Sequence, residues 1–286
     1  MSVECVRLHD GRTLGYEEFG DPTGFPVLNC HGGLLCRLDV APVAAVAAEL
    51  GVRILSPDRP GVGRSDRHPD AGTADWAADA EELLDGLGVG RCAVMGWSAG
   101  GQYALGAAAR LGDRVTHTAV IAGCLPLDDA ARRKELSKLD RRLVMLSTRL
   151  PWVAKGVFAT VGRSASRHPD RATKRSVDGL PDAERDAVLA TGDWMGRTMA
   201  EAMHDPRGQV DDYRAFAAPW GFAPEDVAGP VTIWQGSRDR LVPARWAAML
   251  AARLPDARVV DCPGEDHLIG LTRRPEVLRA LAATAP

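Results

Sequence analysis

The sequence predicts an α/β protein: a mostly parallel central sheet with helices on both faces, interrupted once by a helical insertion. Three observations carry this reading. Short apolar runs alternate with helical segments over the first 124 residues, the signature of strand–helix–strand units. The alternation stops from about Leu125 to Pro230 and resumes at Val231. Between the apolar run Cys92–Met95 and the helical stretch Gly101–Leu111 lies Gly96-Trp97-Ser98-Ala99-Gly100, a strand–turn–helix passage whose glycines allow close approach.

The elements follow in order. Val3–Leu8 and Thr13–Phe19 flank His9-Asp10-Gly11-Arg12 and predict a hairpin. Pro26–Cys30 is a short strand running into His31-Gly32-Gly33. Asp39–Leu50 is an alanine-rich helix closed by Gly51, and Val52–Ser56 is the next strand. In Asp58-Arg59-Pro60-Gly61-Val62-Gly63-Arg64-Ser65-Asp66, Pro60 and the glycines shape a turn that Arg59 and Asp66 tie down. Ala74–Leu87 is a helix with Thr73 as its N-cap, and Val115–Cys124 is a strand. The insertion predicts helices over Ala130–Leu150, Trp152–Val161, Asp182–Met203 and Val210–Ala217, and no strand. Val231–Trp234 and Ala257–Asp261 are strands, with helices at Ala244–Leu254 and from Pro275. The expected organisation is therefore a core of residues 1–124 and 231–286 and a helical insertion of residues 125–230.

Composition narrows the function classes. The chain has 286 residues, 45% hydrophobic and 26% charged, as ordinary globular proteins do. A net charge of −3 provides no overall basic field for nucleic acid. The longest apolar stretch, around Ala41–Ala48, is far short of the roughly 18 residues of a membrane span. The N-terminus mixes charged with apolar residues, unlike a secretory signal. Six scattered cysteines without a CxxC spacing suit a reducing, cytoplasmic setting. Cys36, beside the His31-Gly32-Gly33 loop, reads as a buried thiol because it has no paired base.

The chemistry centres on Ser98. A serine hydroxyl needs an adjacent base, which needs an orienting acid. Two strands after the insertion end in suitable residues: Val231–Trp234 leads to Asp239, and Val259–Asp261 leads to His267. Sites in open α/β sheets lie at the carboxyl ends of strands. Asp128 and Asp129, after the strand ending at Cys124, are rival acids. His9 precedes the core, His168 and His204 lie in the insertion, His117 sits inside a strand, and His31 reads as holding its loop. Ala99, following the nucleophile at a helix N-terminus, is placed to donate its N–H to an oxyanion.

With Gly96–Gly100, His31-Gly32-Gly33, Asp58–Asp66, Gly236–Asp239 and Pro263–His267, the chain resembles the α/β-hydrolase superfamily over essentially its full length. It looks most like the capped, esterase-type branch. The resemblance implies the α/β-hydrolase fold, a Ser98–His267–Asp239 triad in the superfamily's Ser, acid, His order, and a second oxyanion donor at Gly33. Leu34 replaces the third glycine of a full His-Gly-Gly-Gly pattern and is the neighbouring alternative. The 125–230 insertion would then be a cap whose Trp152, Phe158, Trp194, Met195, Met199, Met203, Trp220 and Phe222 are candidates to line an apolar pocket. The implied activity is hydrolysis of an ester or related acyl bond in a small molecule, with no cofactor, metal or nucleic-acid or membrane partner. C–C bond hydrolysis, lactonase activity and a non-catalytic ligand-binding role are the alternatives.

Residues 128–175 hold thirteen Lys/Arg against five Asp/Glu. Solvated helix faces are the expected explanation, and steering of an acidic substrate is the sharper one.

Overall fold

A computed structural model describes residues 4–285. In chain order its strands are β1 (Glu4–Arg7), β2 (Thr13–Gly20), β3 (Phe25–Cys30), β4 (Val52–Pro57), β5 (Cys92–Trp97), β6 (Val115–Ile121), β7 (Val231–Gly236) and β8 (Ala257–Cys262). They form one sheet in the order β1-β2-β4-β3-β5-β6-β7-β8. The β1–β2 and β2–β4 pairs are antiparallel and every other pair is parallel. The expected hairpin is present, although Val3 lies outside the described residues.

The core helices are α1 (Ala44–Glu49), α2 (Thr73–Gly86) and α3 (Gly100–Leu111). The insertion supplies α4 (Ala130–Arg133), α5 (Lys138–Arg149), α6 (Pro151–Arg167), α7 (Pro169–Ser176), α8 (Asp182–Ala190), α9 (Trp194–Ala202) and α10 (Pro206–Phe216). The chain ends with α11 (Arg245–Ala251), α12 (Ile269–Thr272) and α13 (Arg274–Ala282).

Alternate strand residues face opposite layers, as the two-residue period of a strand requires. Ala93 and Met95 of β5 join Val27 and Ile54 beneath α1 and α13, whereas Cys92 and Val94 join Leu28 and Leu55 beneath α2 and α3. β5 is buried along its whole length, which explains why it reads as a continuous apolar run.

Several boundaries differ from expectation. The predicted helix 39–50 is a 3-10 segment, Arg37–Val43, followed by α1; Pro42 lies inside the former and has no N–H for an α-helical bond. Thr73 is the first residue of α2, whose N-cap is Gly72, and its hydroxyl accepts from Gln102 Nε2 at 2.7 Å. The predicted helix 182–203 is two helices, because Gly192 takes a φ of +70° between them. The stretch 130–150 also divides, with Leu136 between α4 and α5. Helix α7 was not anticipated; it starts at Pro169, whose missing N–H costs nothing in the first turn. No helix of the described residues is long and apolar enough to cross a membrane.

The close approach of α3 gives a stability prediction. A Cβ on Gly100 would lie 2.0 Å from the Cys30 carbonyl oxygen, whereas one on Gly156, inside exposed α6, meets nothing within 4 Å. Gly100→Ala is expected to lose about 1–3 kcal/mol or more, as overpacking does. Gly156→Ala is expected to gain about 0.5–1 kcal/mol from helix propensity. Urea midpoints that moved in the same direction for both variants would contradict this packing.

Candidate active site

Ser98 sits between the end of β5 and the start of α3 with a φ of +56°, the left-handed region that side chains other than glycine's rarely occupy. Two backbone bonds hold the turn: Ser98 N–H to Ile121 O at 2.8 Å and Gly101 N–H to Ser98 O at 2.9 Å. A Cβ on Gly96 would lie 2.2 Å from Gly100 O, so both flanking glycines are required by backbone packing. The half-buried Ser98 opens into a cavity of about 290 Å³ that His267 also lines.

Asp239 follows β7 and His267 follows β8, and the two are joined: His267 Nδ1 lies 2.8 Å from Asp239 Oδ2. The carboxylate also accepts from the Leu241 and Val242 N–H groups, both at 2.9 Å, and from Gln235 Nε2 at 3.1 Å. With Nδ1 committed to Asp239, Nε2 is the ring atom left for the cavity. The Ser98 hydroxyl makes no hydrogen bond to His267 among the described residues; the two share the cavity wall. Asp128 and Asp129 lie elsewhere, beside Arg132 and Arg253, and Asp129 caps α4 by accepting from Ala131 N–H.

The electrostatics suit a base. Burial disfavours the imidazolium of His267, but the charge and hydrogen bond of Asp239, with Asp140 and Asp266 behind it, outweigh burial and hold the ring above its usual pKa of 6.5. Burial likewise opposes ionisation of Asp239, and His267 and the two backbone N–H donors bring its carboxyl below the ordinary value.

The loop after β3 is built on a buried cation. Arg59, 1% exposed, donates to the His31 and Gly32 carbonyls and forms a two-pronged pair with Asp212 of α10 at 2.7 and 2.9 Å. His31 Nδ1 donates to Gly32 O at 3.0 Å while Nε2 accepts from Arg59 N–H at 3.1 Å, and burial together with Arg59 pushes its pKa well below 6.5. This neutral histidine fastens the loop. Gly33 faces Ala99 across the cavity mouth: a Cβ on Gly33 would stand 3.6 Å from the Ala99 Cβ. Neither amide donates to another group among the described residues. Leu34 adopts a φ of +62°.

Three contributors escaped the sequence reading. Trp97 Nε1 donates to His267 O at 3.1 Å, and its ring is packed so closely on α12 that a Cβ on Gly270 would lie 2.2 Å from it. Its place inside the Gly-Trp-Ser turn was the available signal. Glu184 of α8 is buried and accepts from Asp266 N–H, next to His267. Nothing local in the sequence marks it. Asp140 of α5 lines the cavity, accepting from Tyr213 Oη at 3.2 Å and Ser137 Oγ at 2.7 Å. It reads in sequence only as part of a Ser-x-x-Asp helix start.

The expected apolar lining also needs correction. Met195 and Met199 line the cavity, but Trp152 is 73% exposed, Phe158, Trp194 and Met203 are packed in the core, and Trp220 stacks on Phe222 away from the site. Met195, Met199 and Met203 follow a four-residue spacing, but α9 ends at Ala202 and Met203 packs into the core, which periodicity alone does not show. Cys36 is fully buried, with a thiol pKa pushed well up by burial and by Asp58.

If His267 serves as a general base it must be neutral to act, and the acid limb of kcat/KM would then lie above pH 6.5, the side to which the ring is shifted. Asp140→Asn removes one of the charges favouring the imidazolium and keeps a side-chain oxygen that can accept from Ser137 Oγ or Tyr213 Oη. It should move that limb to lower pH with little change at the plateau. A limb that stayed in place or rose would remove Asp140 from the electrostatics of the site.

Comparison with known proteins places this geometry in context. Residues 26–273 match the family described by the alpha/beta hydrolase fold. A thermophilic esterase from Thermogutta terrifontis is similar in structure, with 20% identity, 99% of this chain and 97% of the other covered, and a TM-score of 0.70. An enol-lactonase from Burkholderia xenovorans LB400 shares 16% identity over 98% and 99% of the two chains with a TM-score of 0.72. A bromoperoxidase from Bacillus anthracis shares 20% over 99% of each with a TM-score of 0.74. At such identities the neighbours speak to fold alone, while the match over residues 26–273 speaks to descent: the chain belongs to the alpha/beta hydrolase fold family.

Proposed function

We propose that the protein is a serine hydrolase that cleaves an ester or related acyl bond of a small, largely apolar molecule. One observation carries the reading: a strained serine at the tip of a strand-to-helix turn opens into the same cavity as a histidine already paired to a buried aspartate. In this reading Ser98 Oγ attacks the carbonyl carbon and His267 Nε2 takes its proton, while Asp239 holds Nδ1–H and stabilises the imidazolium. The Ala99 and Gly33 amides receive the developing oxyanion, aided by the N-terminus of α3. His267 then gives the proton to the departing alkoxide, and the acyl-enzyme is released by water that His267 deprotonates.

Residues 125–230 act in this proposal as a cap over the site. The support is that α5, α9 and α10 contribute Leu139, Met199, Tyr213 and Phe216 to the cavity, which the core alone leaves open on that side. The apolar side chains exclude water and favour an uncharged acyl group. No metal enters the scheme.

A fluorophosphonate should label one serine, Ser98, and Ser98→Ala should lower turnover of a p-nitrophenyl ester by about 10⁴–10⁶. Turnover surviving in that variant would end the assignment. Asp239→Asn should cost about 10⁴ through the wrong imidazole tautomer, and neither Asp128→Asn nor Asp129→Asn should approach that loss. Activity abolished by a chelator and restored by a divalent ion would contradict the scheme.

A further inference from the structure

Part of the basic charge of the insertion is gathered on one concave surface. A groove of about 860 Å³ beside the catalytic cavity is lined by Arg133, Lys134, Arg141, Arg149 and Arg214. Its two carboxylates are already engaged, Asp70 with Arg214 at 3.1 Å and Asp211 with Arg67. Arg133, Lys134, Arg141 and Arg149 have no carboxylate partner among the described residues. Arg133 bonds the Leu127 and Asp128 carbonyls through Nη1 and Arg141 bonds the Lys134 carbonyl through Nη1, which fixes their stems and leaves their other donors free.

Groove and cavity lie back to back. On α10, Asp211, Arg214 and Ala215 face the groove, while Asp212, Tyr213 and Phe216 face the cavity. The split on α5 is the same, with Arg141 and Arg149 on the groove side and Leu139 and Asp140 on the cavity side. The two spaces meet at Leu136, which lines both. The charges sort with them. The cavity wall presents Asp140, together with Asp212 that Arg59 already neutralises, and no lysine or arginine to pair with an anionic group of a substrate. The groove presents unpaired cations over an apolar floor of Val144, Met145 and Ala215.

We propose that the groove is an anion-binding subsite for a phosphate-bearing part of the substrate, whose uncharged acyl portion occupies the cavity. This rests on the hydrolase reading for the cavity, and names a substrate class for it: an ester or thioester joining a small apolar acyl group to a multiply phosphorylated carrier. Arginine forks suit phosphate oxygens, and several cations in one concave surface favour a polyanion over a single carboxylate. The groove is also far larger than one phosphate needs.

Two measurements test it. Inorganic tripolyphosphate, titrated calorimetrically into the Ser98→Ala protein at low salt, should bind one equivalent. Binding should weaken at least tenfold in Arg141→Gln/Arg149→Gln, and stay within twofold in Arg163→Gln/Arg167→Gln, which removes the same charge from exposed positions of α6 outside the groove. Equal losses in both double variants, or no binding at all, would overturn the subsite. The second measurement compares the butyryl thioesters of coenzyme A and of N-acetylcysteamine on the wild-type protein, the same bond with and without phosphates. A kcat/KM ratio of ten or more that collapses with added salt is expected. A ratio near one while tripolyphosphate still binds would overturn the link to substrate. Failure of the hydrolase reading is separately visible as absence of Ser98 labelling, and leaves the calorimetric result to decide the groove.

Discussion

The backbone contact between α3 and the neighbouring strands is the constraint on which the rest depends. Gly96 and Gly100 let helix and strand approach until a single added carbon would sit about 2 Å from a carbonyl oxygen. That approach leaves Ser98 no room for an ordinary turn, and it takes the left-handed conformation at a φ of +56°. Such strain costs of order 1–3 kcal/mol and survives only where surrounding packing over-determines it. Here the packing is the sheet itself, since the Ser98 amide is held by Ile121 of the adjacent strand. Ser98 is thus positioned by buried strands of the sheet.

A second tier of order comes from buried ions that join the insertion to the core. Arg59 links Asp212 of α10 to the carbonyls of the loop bearing Gly33. Glu184 of α8 holds the amide beside His267, and Arg37 reaches both Asp58 and Glu201 of α9. Buried ion pairs such as Arg59–Asp212 and Arg37–Asp58 contribute little net stability, because desolvation offsets the attraction, but breaking one leaves an uncompensated charge. Their effect is positional. Arg59 and Glu184 fasten the loops that carry Gly33 and His267, so helices of residues 125–230 help to order both loops.

The same helices serve two spaces of opposite electrostatic character. One face of α5 and α10 presents apolar and acidic groups to the cavity; the other presents Arg141, Arg149 and Arg214 to the groove, the two of α5 without a carboxylate partner among the described residues. A helix can do this because residues three or four apart share a face and immediate neighbours do not. The segregation keeps the positive charge away from His267, whose raised pKa depends on nearby carboxylates.

The core was legible in the sequence. Strand runs, the hairpin, the elbow and the loops bearing Asp239 and His267 were readable because each rests on local requirements: period-two burial, glycine where backbones touch, and polar residues at strand ends. The insertion was legible only as helical. The split of its methionines between core and cavity and the environments of Asp140, Glu184 and Asp212 depend on partners distant in sequence, such as Tyr213, Asp266 and Arg59. The lopsided charge of residues 128–175 shows the difference most clearly. By itself the sequence determined that the charge exists, since composition is local. Only the tertiary structure decided that four of these cations share one groove with Arg214, because which faces meet is set by how helices pack against a core they do not touch in sequence.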